Sequence, residues 1–155
     1  MVTKRERSGE PDFAILVAGA MRVVADRLQD AMAAAGHDEM RPRFGFVVRA
    51  LAEGGVTLTD LAGRLGVSKQ TAIKLVDEME AHGLLVREAH ATDRRAKVLV
   101  LTERGRSVRA TALRESERME RELRRELGDA DVDALRRALG AFSASSAGGP
   151  ARPVW

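Results

Sequence analysis

The segment from Thr57 to Gly83 constrains the fold most strongly, because it reads as two short helices joined by a tight turn. Thr57 and Asp60 have the spacing of a capping box, which predicts the start of a helix. Gly66 can adopt the positive φ that ends this helix, and Ser68 is suited to cap the next one. The segment is therefore predicted to be a helix-turn-helix, whose second helix enters the major groove of DNA.

The second helix of this motif is predicted to have two contrasting faces. Apolar residues recur on one side with the i, i+3, i+4, i+7 spacing of a buried helical stripe. Charged and amide side chains occupy the opposite side, as expected of a helix that contacts DNA. The buried stripe is Ala72, Leu75, Val76 and Met79, and the opposite face holds Lys69, Gln70, Ile73, Lys74 and Asp77.

Composition excludes several classes of site. The chain of 155 residues contains no cysteine, so it has no disulfide, thiolate zinc site or cysteine nucleophile. Its three histidines lack ligand spacing, and no catalytic or phosphate-loop motif is present, so we expect neither an enzyme nor a bound metal or cofactor. The net charge of only +3 does not by itself indicate a nucleic-acid binder.

The chain gives no sign of a membrane or secreted protein. The longest largely apolar run, residues 13–21, is far shorter than the roughly 20 residues that span a bilayer. The N-terminus lacks the apolar core and cleavage site of a secretion signal, so we expect a cytoplasmic protein.

Residues 12–35 are predicted to form a long N-terminal helix with an unusually apolar surface. Phe13, Val17 and Val24 belong to one stripe, and Arg22 is the only charged residue between Phe13 and Ala25. A small monomer cannot easily cover such a helix, so a partner subunit is expected. Arg22 is interpreted either as the partner of a glutamate across that interface or as a counter-charge in a ligand pocket.

The segment after Gly83 changes from helical to strand periodicity. Residues 84–88 and 97–101 are predicted strands around a short basic loop, and such a hairpin after a recognition helix is a wing. A helix is then predicted from Thr102 to about Leu127, with its eight arginines and six glutamates forming a solvated, salt-bridged face. A last helix after Gly128 carries a coiled-coil-like apolar seam. The predicted fold is mainly α with a small β-hairpin wing.

These residues resemble the multiple-antibiotic-resistance regulator (MarR) family of winged-helix transcription factors. The resemblance lies in the order and spacing of L-A-G-R-L-G-V-S-K-Q-T, L-V-D-E-M-E-A-H-G-L-L, D-R-R and L-T-E-R-G within residues 56–105. It implies a single domain over 12–142, with dimerisation helices at 12–35 and 103–142 and a winged helix-turn-helix at 43–102. Residues 1–11 and 143–155 are predicted to be a disordered N-terminus and a flexible tail.

The resemblance also implies a homodimer that binds a pseudo-palindromic duplex, with its two recognition helices in major grooves about 34 Å apart. Such proteins typically repress a gene and release DNA when a small, often anionic or aromatic, ligand binds. The alternative is a winged helix that binds another protein without reading DNA. The sequence names neither the effector nor its binding residues.

The predicted DNA contacts lie on the recognition helix and the wing. Ile73 has two interpretations, a contact with a thymine methyl or a widening of the core stripe. Glu78 stands where the family commonly has a basic residue, and its repulsion of phosphate suggests that DNA contact ends there. Arg64 either contacts the DNA backbone or is a solvated helix residue.

By resemblance Arg95 inserts into the minor groove and Asp93 orients it. The full predicted set is Ser68, Lys69, Gln70, Thr71, Ile73, Lys74, Arg94, Arg95 and Lys97, supported by Asp93.

Overall fold

The computed structural model describes residues 11–89 and 97–144, which form six helices and three short strands. Most of the predicted disordered N-terminus (1–11) and most of the predicted tail (143–155) lie outside these residues. No helix among the described residues has both the length and the apolar character needed to cross a bilayer. The elements are α1 (Phe13–Ala34), α2 (Pro42–Ala50), β1 (Val56–Thr57), α3 (Leu58–Leu65), α4 (Lys69–Ala81), β2 (Leu85–Ala89), β3 (Lys97–Leu101), α5 (Glu103–Leu127) and α6 (Asp129–Ala144).

The helix-turn-helix is built from α3 and α4, and its caps are those that the sequence predicts. Thr57 Oγ1 accepts a hydrogen bond from the backbone N–H of Asp60 at 3.2 Å, which satisfies a free donor in the first turn of α3. Gly66 ends α3 in the left-handed region, with φ 63° and ψ 32°. Ser68 Oγ then accepts from the backbone N–H of Thr71 at 3.1 Å and starts α4.

The sheet has the order β1-β3-β2, with both pairings antiparallel. The predicted hairpin is confirmed as β2 and β3, with Arg87 opposite Leu99. The third strand, β1, pairs Val56 with Leu99 and is a feature that the sequence analysis did not predict. A strand of two residues is too short to show an alternating pattern, so only its partner reveals it.

The start of α5 lies directly against the end of α4 and the beginning of β2. Thr102 Oγ1 donates to the carbonyl of Gly83 at 2.6 Å and accepts from the N–H of Gly105 at 3.1 Å. A Cβ atom at Gly105 would lie only 2.0 Å from the carbonyl oxygen of Leu84. This close approach requires glycine and fixes the long helix on the winged-helix body.

The hydrophobic core lies beneath the helix-turn-helix and includes the predicted stripe of α4. It joins α2, α3 and α4 to the inner face of the sheet and to Val108 of α5. The predominance of leucine, valine and methionine agrees with the low aromatic content. The large side chains buried to less than 2% exposure include Phe44, Leu61, Leu65, Met79, Leu84, Leu85, Leu99 and Val108.

The N-terminal and C-terminal helices form a second assembly in which α1 packs against α5, and α5 against α6. Asp12 caps α1 by accepting from the N–H of Ile15 at 3.0 Å. The rings of Phe13 and Phe142 meet edge to face with their centroids 6.2 Å apart. Phe13 nevertheless remains 69% exposed and Val24 44% exposed, so the single chain leaves much of the predicted apolar stripe uncovered.

The arginine that joins α1 to α5 is Arg27, which the sequence analysis did not single out. Its Nε donates to Glu115 at 2.9 Å and its Nη1 to Glu122 at 2.6 Å. Arg22 is exposed and forms no ion pair with the part of the chain that the structure describes. Neither interpretation of Arg22 is tested by a single protomer.

Candidate nucleic-acid interface

The first turn of α4 presents two long polar side chains to solvent. Lys69 and Gln70 are exposed, as predicted for residues that contact DNA. The hydroxyl oxygens of Ser68 and Thr71 lie 2.9 Å apart, and that of Ser68 also caps the helix. Ser68 and Thr71 are thus engaged within the turn, whereas Lys69 and Gln70 extend away from it.

The outward side of α4 continues beyond this turn. Gln70, Lys74 and Asp77 follow one another at i, i+4 and i+7 on the side opposite the buried stripe, and all three are exposed. We call this set the reading face. Ile73, which borders the reading face, is 37% exposed, whereas the stripe residues on the other side of α4 are buried. Ile73 therefore does not widen the core stripe.

The second half of α4 carries three carboxylates, and each of them is paired with an arginine. Asp77 Oδ1 accepts from Nη2 of Arg87 in β2 at 2.5 Å, and Arg87 also contacts Glu80. Glu78 accepts from Nη2 of Arg43 in α2 through both of its carboxylate oxygens, each at 2.6 Å. These ion pairs offset the negative charge that would otherwise face a phosphate backbone.

Neither arginine of these pairs was identified from the sequence. Arg87 lies ten residues from Asp77, and Arg43 lies 35 residues from Glu78. Such separations carry no helical or strand spacing that links the partners. The three acidic residues at 77, 78 and 80 are the one indication in the sequence. A cluster of acids on a recognition helix needs counter-charges, but the sequence does not show which residues supply them.

The wing is described only at its base. Lys97 begins β3, pairs with Ala89 of β2 and is exposed, which places it where the strands enter the loop. The predicted tip residues Asp93, Arg94 and Arg95 lie outside the described residues. Their roles therefore remain predictions from the sequence.

Arg64 has a structural role that the sequence analysis did not consider. Its Nη1 donates to the backbone carbonyl of Ala50 at 2.9 Å, in the last turn of α2. The carbonyls at the end of a helix lack partners within the helix, so an arginine at this place acts as a cap. This contact links α3 to α2.

No group of metal-binding side chains occurs among residues 11–89 and 97–144. His37 is buried, and its Nε2 lies 3.1 Å from the hydroxyl of Ser107 in α5. The nearby carboxyl of Glu39 accepts from Nε of Arg104 at 2.8 Å. Burial opposes the ionisation of Glu39, but the hydrogen bond and charge of Arg104, together with a backbone hydrogen bond, outweigh it and hold the pKa of Glu39 below its usual value.

Comparison with known proteins finds a family match in the middle of the chain. Residues 46–96 match the model of the MarR family, a span that covers the helix-turn-helix and the described start of the wing. A search of the curated proteins found no match.

Among solved structures, a MarR-family transcriptional regulator from Rhodococcus sp. RHA1 is 25% identical with a TM-score of 0.64, covering 87% of this chain and 96% of that one. The repressor CouR bound to a 23-mer DNA duplex is 27% identical with a TM-score of 0.65, covering 84% and 92%. CouR from Rhodococcus jostii RHA1 bound to p-coumaroyl-CoA is 26% identical with a TM-score of 0.64, covering 93% and 94%.

The three proteins are described as a transcriptional regulator and a transcriptional repressor, and their likeness covers 84–93% of this chain. The fold, the helix-turn-helix and the family motif agree with one another and with the prediction from the sequence. The chain is therefore similar to winged-helix transcriptional regulators of the MarR family, and the match to the family model lies at residues 46–96.

Proposed function

We propose that this chain forms a homodimer that binds a pseudo-palindromic DNA site, represses a nearby gene and releases the DNA when a small ligand binds. The observation that carries the proposal is the exposed reading face of α4, set on a winged helix. Gln70 of this face and the neighbouring Lys69 are both exposed in the first turn of the helix. Glutamine can bond adenine with two hydrogen bonds, and lysine can reach guanine or phosphate.

The wing supplies the second part of the proposed interface. Arg95 would enter the narrow, electronegative minor groove beside the half-site, with Asp93 orienting its guanidinium. Arg94, Lys97 and Lys74 would contact phosphates. The exposed position of Lys97 at the base of the hairpin supports this arrangement.

The proposed dimer is supported by apolar side chains that the single chain leaves in solvent. Clustered exposure of this kind is typical of an association surface. The side chains lie on the three helices that the sequence analysis assigned to dimerisation. They are Phe13, Ile15, Leu16, Met21, Val23 and Val24 of α1, Leu113, Leu123 and Leu127 of α5, and Leu135, Leu139 and Phe142 of α6.

The release of DNA by a ligand is proposed from the relatives. CouR has been solved both with a DNA duplex and with p-coumaroyl-CoA, a molecule that is anionic and aromatic. We propose an effector of the same broad chemical class for this chain. The chain has no tyrosine to line its binding site and no cysteine to sense oxidants.

Selection of bound duplexes from a random pool tests the function directly. A two-fold symmetric consensus, with half-sites about 10 base pairs apart, is expected if two recognition helices enter successive major grooves. The affinity for that duplex should fall steeply as salt rises, because bound phosphates release counterions. A pool that yields no consensus, with no salt-dependent binding, would instead favour the protein-interaction module.

A further inference from the structure

Arg43 and Glu78 form a two-bond ion pair beside the reading face. Arg43 lies in the first turn of α2, and Glu78 lies in the second half of α4. Both carboxylate oxygens of Glu78 lie 2.6 Å from Nη2 of Arg43. The two side chains are 43% and 36% exposed, so the pair lies on the surface.

The geometry of this pair uses only part of the guanidinium. Both hydrogen bonds come from Nη2, which has two of the five N–H donors of an arginine. No described residue accepts a hydrogen bond from Nε or Nη1 of Arg43. Those three donors are therefore available to a second anion while Glu78 holds the guanidinium through Nη2.

The position of the ion pair on α4 indicates which kind of anion the free donors of Arg43 would bind. Glu78 follows Lys74 by four residues, so it lies about 40° from Lys74 around α4 and borders the reading face on one side. When a helix lies in the major groove, its central face meets the bases and its flanks meet the phosphate backbones that border the groove. A guanidinium fixed on this flank suits a phosphate, because its planar fork binds phosphate oxygens through two parallel bonds.

We propose that Arg43 binds a backbone phosphate of the DNA site and that Glu78 is a positioning residue, which orients the guanidinium for it. This inference rests on the proposed DNA-binding function and adds a contact from α2 to those of the recognition helix and wing. It also changes the interpretation of Glu78. The carboxylate does not mark the end of the interface but holds a positive charge at its edge.

The test compares full-length wild type with Arg43→Gln, which keeps most of the aliphatic stem and removes the charge. Arg49→Gln is the matched control, because Arg49 is an exposed arginine near the other end of the same helix. Affinity for the selected duplex is measured over a series of salt concentrations. Circular dichroism and thermal unfolding verify that both variants are folded.

Loss of one phosphate contact per protomer should lower the slope of log affinity against log salt by about 1.8 for the dimer, at about 0.9 per phosphate. The control should keep the wild-type slope. If the two variants had equal slopes and wild type still bound the duplex normally, the phosphate contact of Arg43 would be overturned, whereas the proposed DNA-binding function would stand. Absence of salt-dependent duplex binding by wild type would overturn the proposed function and this inference together.

Glu78→Ala tests the positioning role in two backgrounds. With Arg43 present, the substitution should weaken binding, because the guanidinium loses its orientation. With Arg43→Gln, it should strengthen binding, because the unpaired carboxylate no longer repels phosphate. The same change in affinity in both backgrounds would show that Glu78 does not act through Arg43.

Discussion

Arg87 of β2 and Asp77 of α4 are joined by a 2.5 Å hydrogen bond between Nη2 and Oδ1. Arg87 also contacts Glu80, almost one helical turn further along. One side chain of the sheet therefore engages two carboxylates of the recognition helix. The strand that leads into the wing is thereby linked to the reading face.

Replacing Arg87 with alanine is expected to impair DNA binding more than folding. The pair with Asp77 is partly solvated, so its loss should reduce the free energy of unfolding by only ~0–1 kcal/mol. Asp77 would then face the duplex without its counter-charge, and we expect affinity to fall about tenfold, or ~1.4 kcal/mol. Duplex titration and urea unfolding measure the two effects. Glu88→Ala, an exposed residue on the same strand, is the control, and wild-type affinity in Arg87→Ala would contradict the account.

Arg64→Ala is expected to lower stability and leave the DNA contacts unchanged. The bond from Arg64 to the carbonyl of Ala50 caps α2, and a hydrogen bond to a charged group contributes roughly 1.5–3 kcal/mol at most. We expect the free energy of unfolding to fall by about 1 kcal/mol, within the range for the loss of a helix cap. The salt dependence of duplex binding should match wild type. A shallower slope would show that Arg64 contacts a phosphate instead.

The elements of this fold were predictable where local chemistry determines them. Thr57, Gly66 and Ser68 end or begin helices through their own conformation and side chains, so their roles can be recognised from the sequence. The buried stripe of α4 follows from its spacing in the same way. The strand β1 was missed because its two residues are defined by pairing with β3.

The electrostatic part of the site was less predictable. Glu78 was identified as an unfavourable charge, but its partner Arg43 is 35 residues away in the chain and only packing brings them together. Arg22 was singled out because it interrupts an apolar run, whereas Arg27, which pairs with Glu115 of α5, was not singled out. Sequence spacing shows which face of a helix a charge occupies, whereas its partner depends on how the helices pack.

Glu122 is expected to make stability depend on pH. Hydrogen bonds from Arg27 and then Arg118 favour its ionised form and lower its pKa from 4.5 to about 2 in the folded chain. Its contribution is therefore complete above pH 4.5 and is lost as pH falls from 4.5 towards 2.

The free energy of unfolding of Glu122→Gln should be lower than that of wild type near neutral pH. It should then fall less than that of wild type as the pH drops through this acid range. Urea unfolding at a series of pH values and a fixed protein concentration measures the difference. Glu117→Gln is the control, since Glu117 is 69% exposed and its arginine lies 3.9 Å away. If Glu122→Gln and wild type had the same dependence on pH, the contact with Arg27 would not persist in solution.

Leu139→Glu is expected to dissociate the proposed dimer. Leu139 is 50% exposed on α6, in line with Leu135 and Phe142, so a charge there should remain soluble in a monomer but be costly in an apolar interface. Analytical ultracentrifugation should show a monomer, with helical content preserved by circular dichroism. Removal of residues 129–155 should likewise dissociate or unfold the dimer. A variant that still sediments as a dimer would place the interface elsewhere.

The central claim is that the first turn of α4 reads bases in two symmetric half-sites. Its most direct test is the affinity of wild type and Gln70→Ala for duplexes in which each base pair of the selected site is changed in turn. Gln70→Ala should abolish the preference at one base pair in each half-site, at a cost of roughly 1–3 kcal/mol per contact, and bind non-specific DNA like wild type. An unchanged preference at every position would contradict the claim.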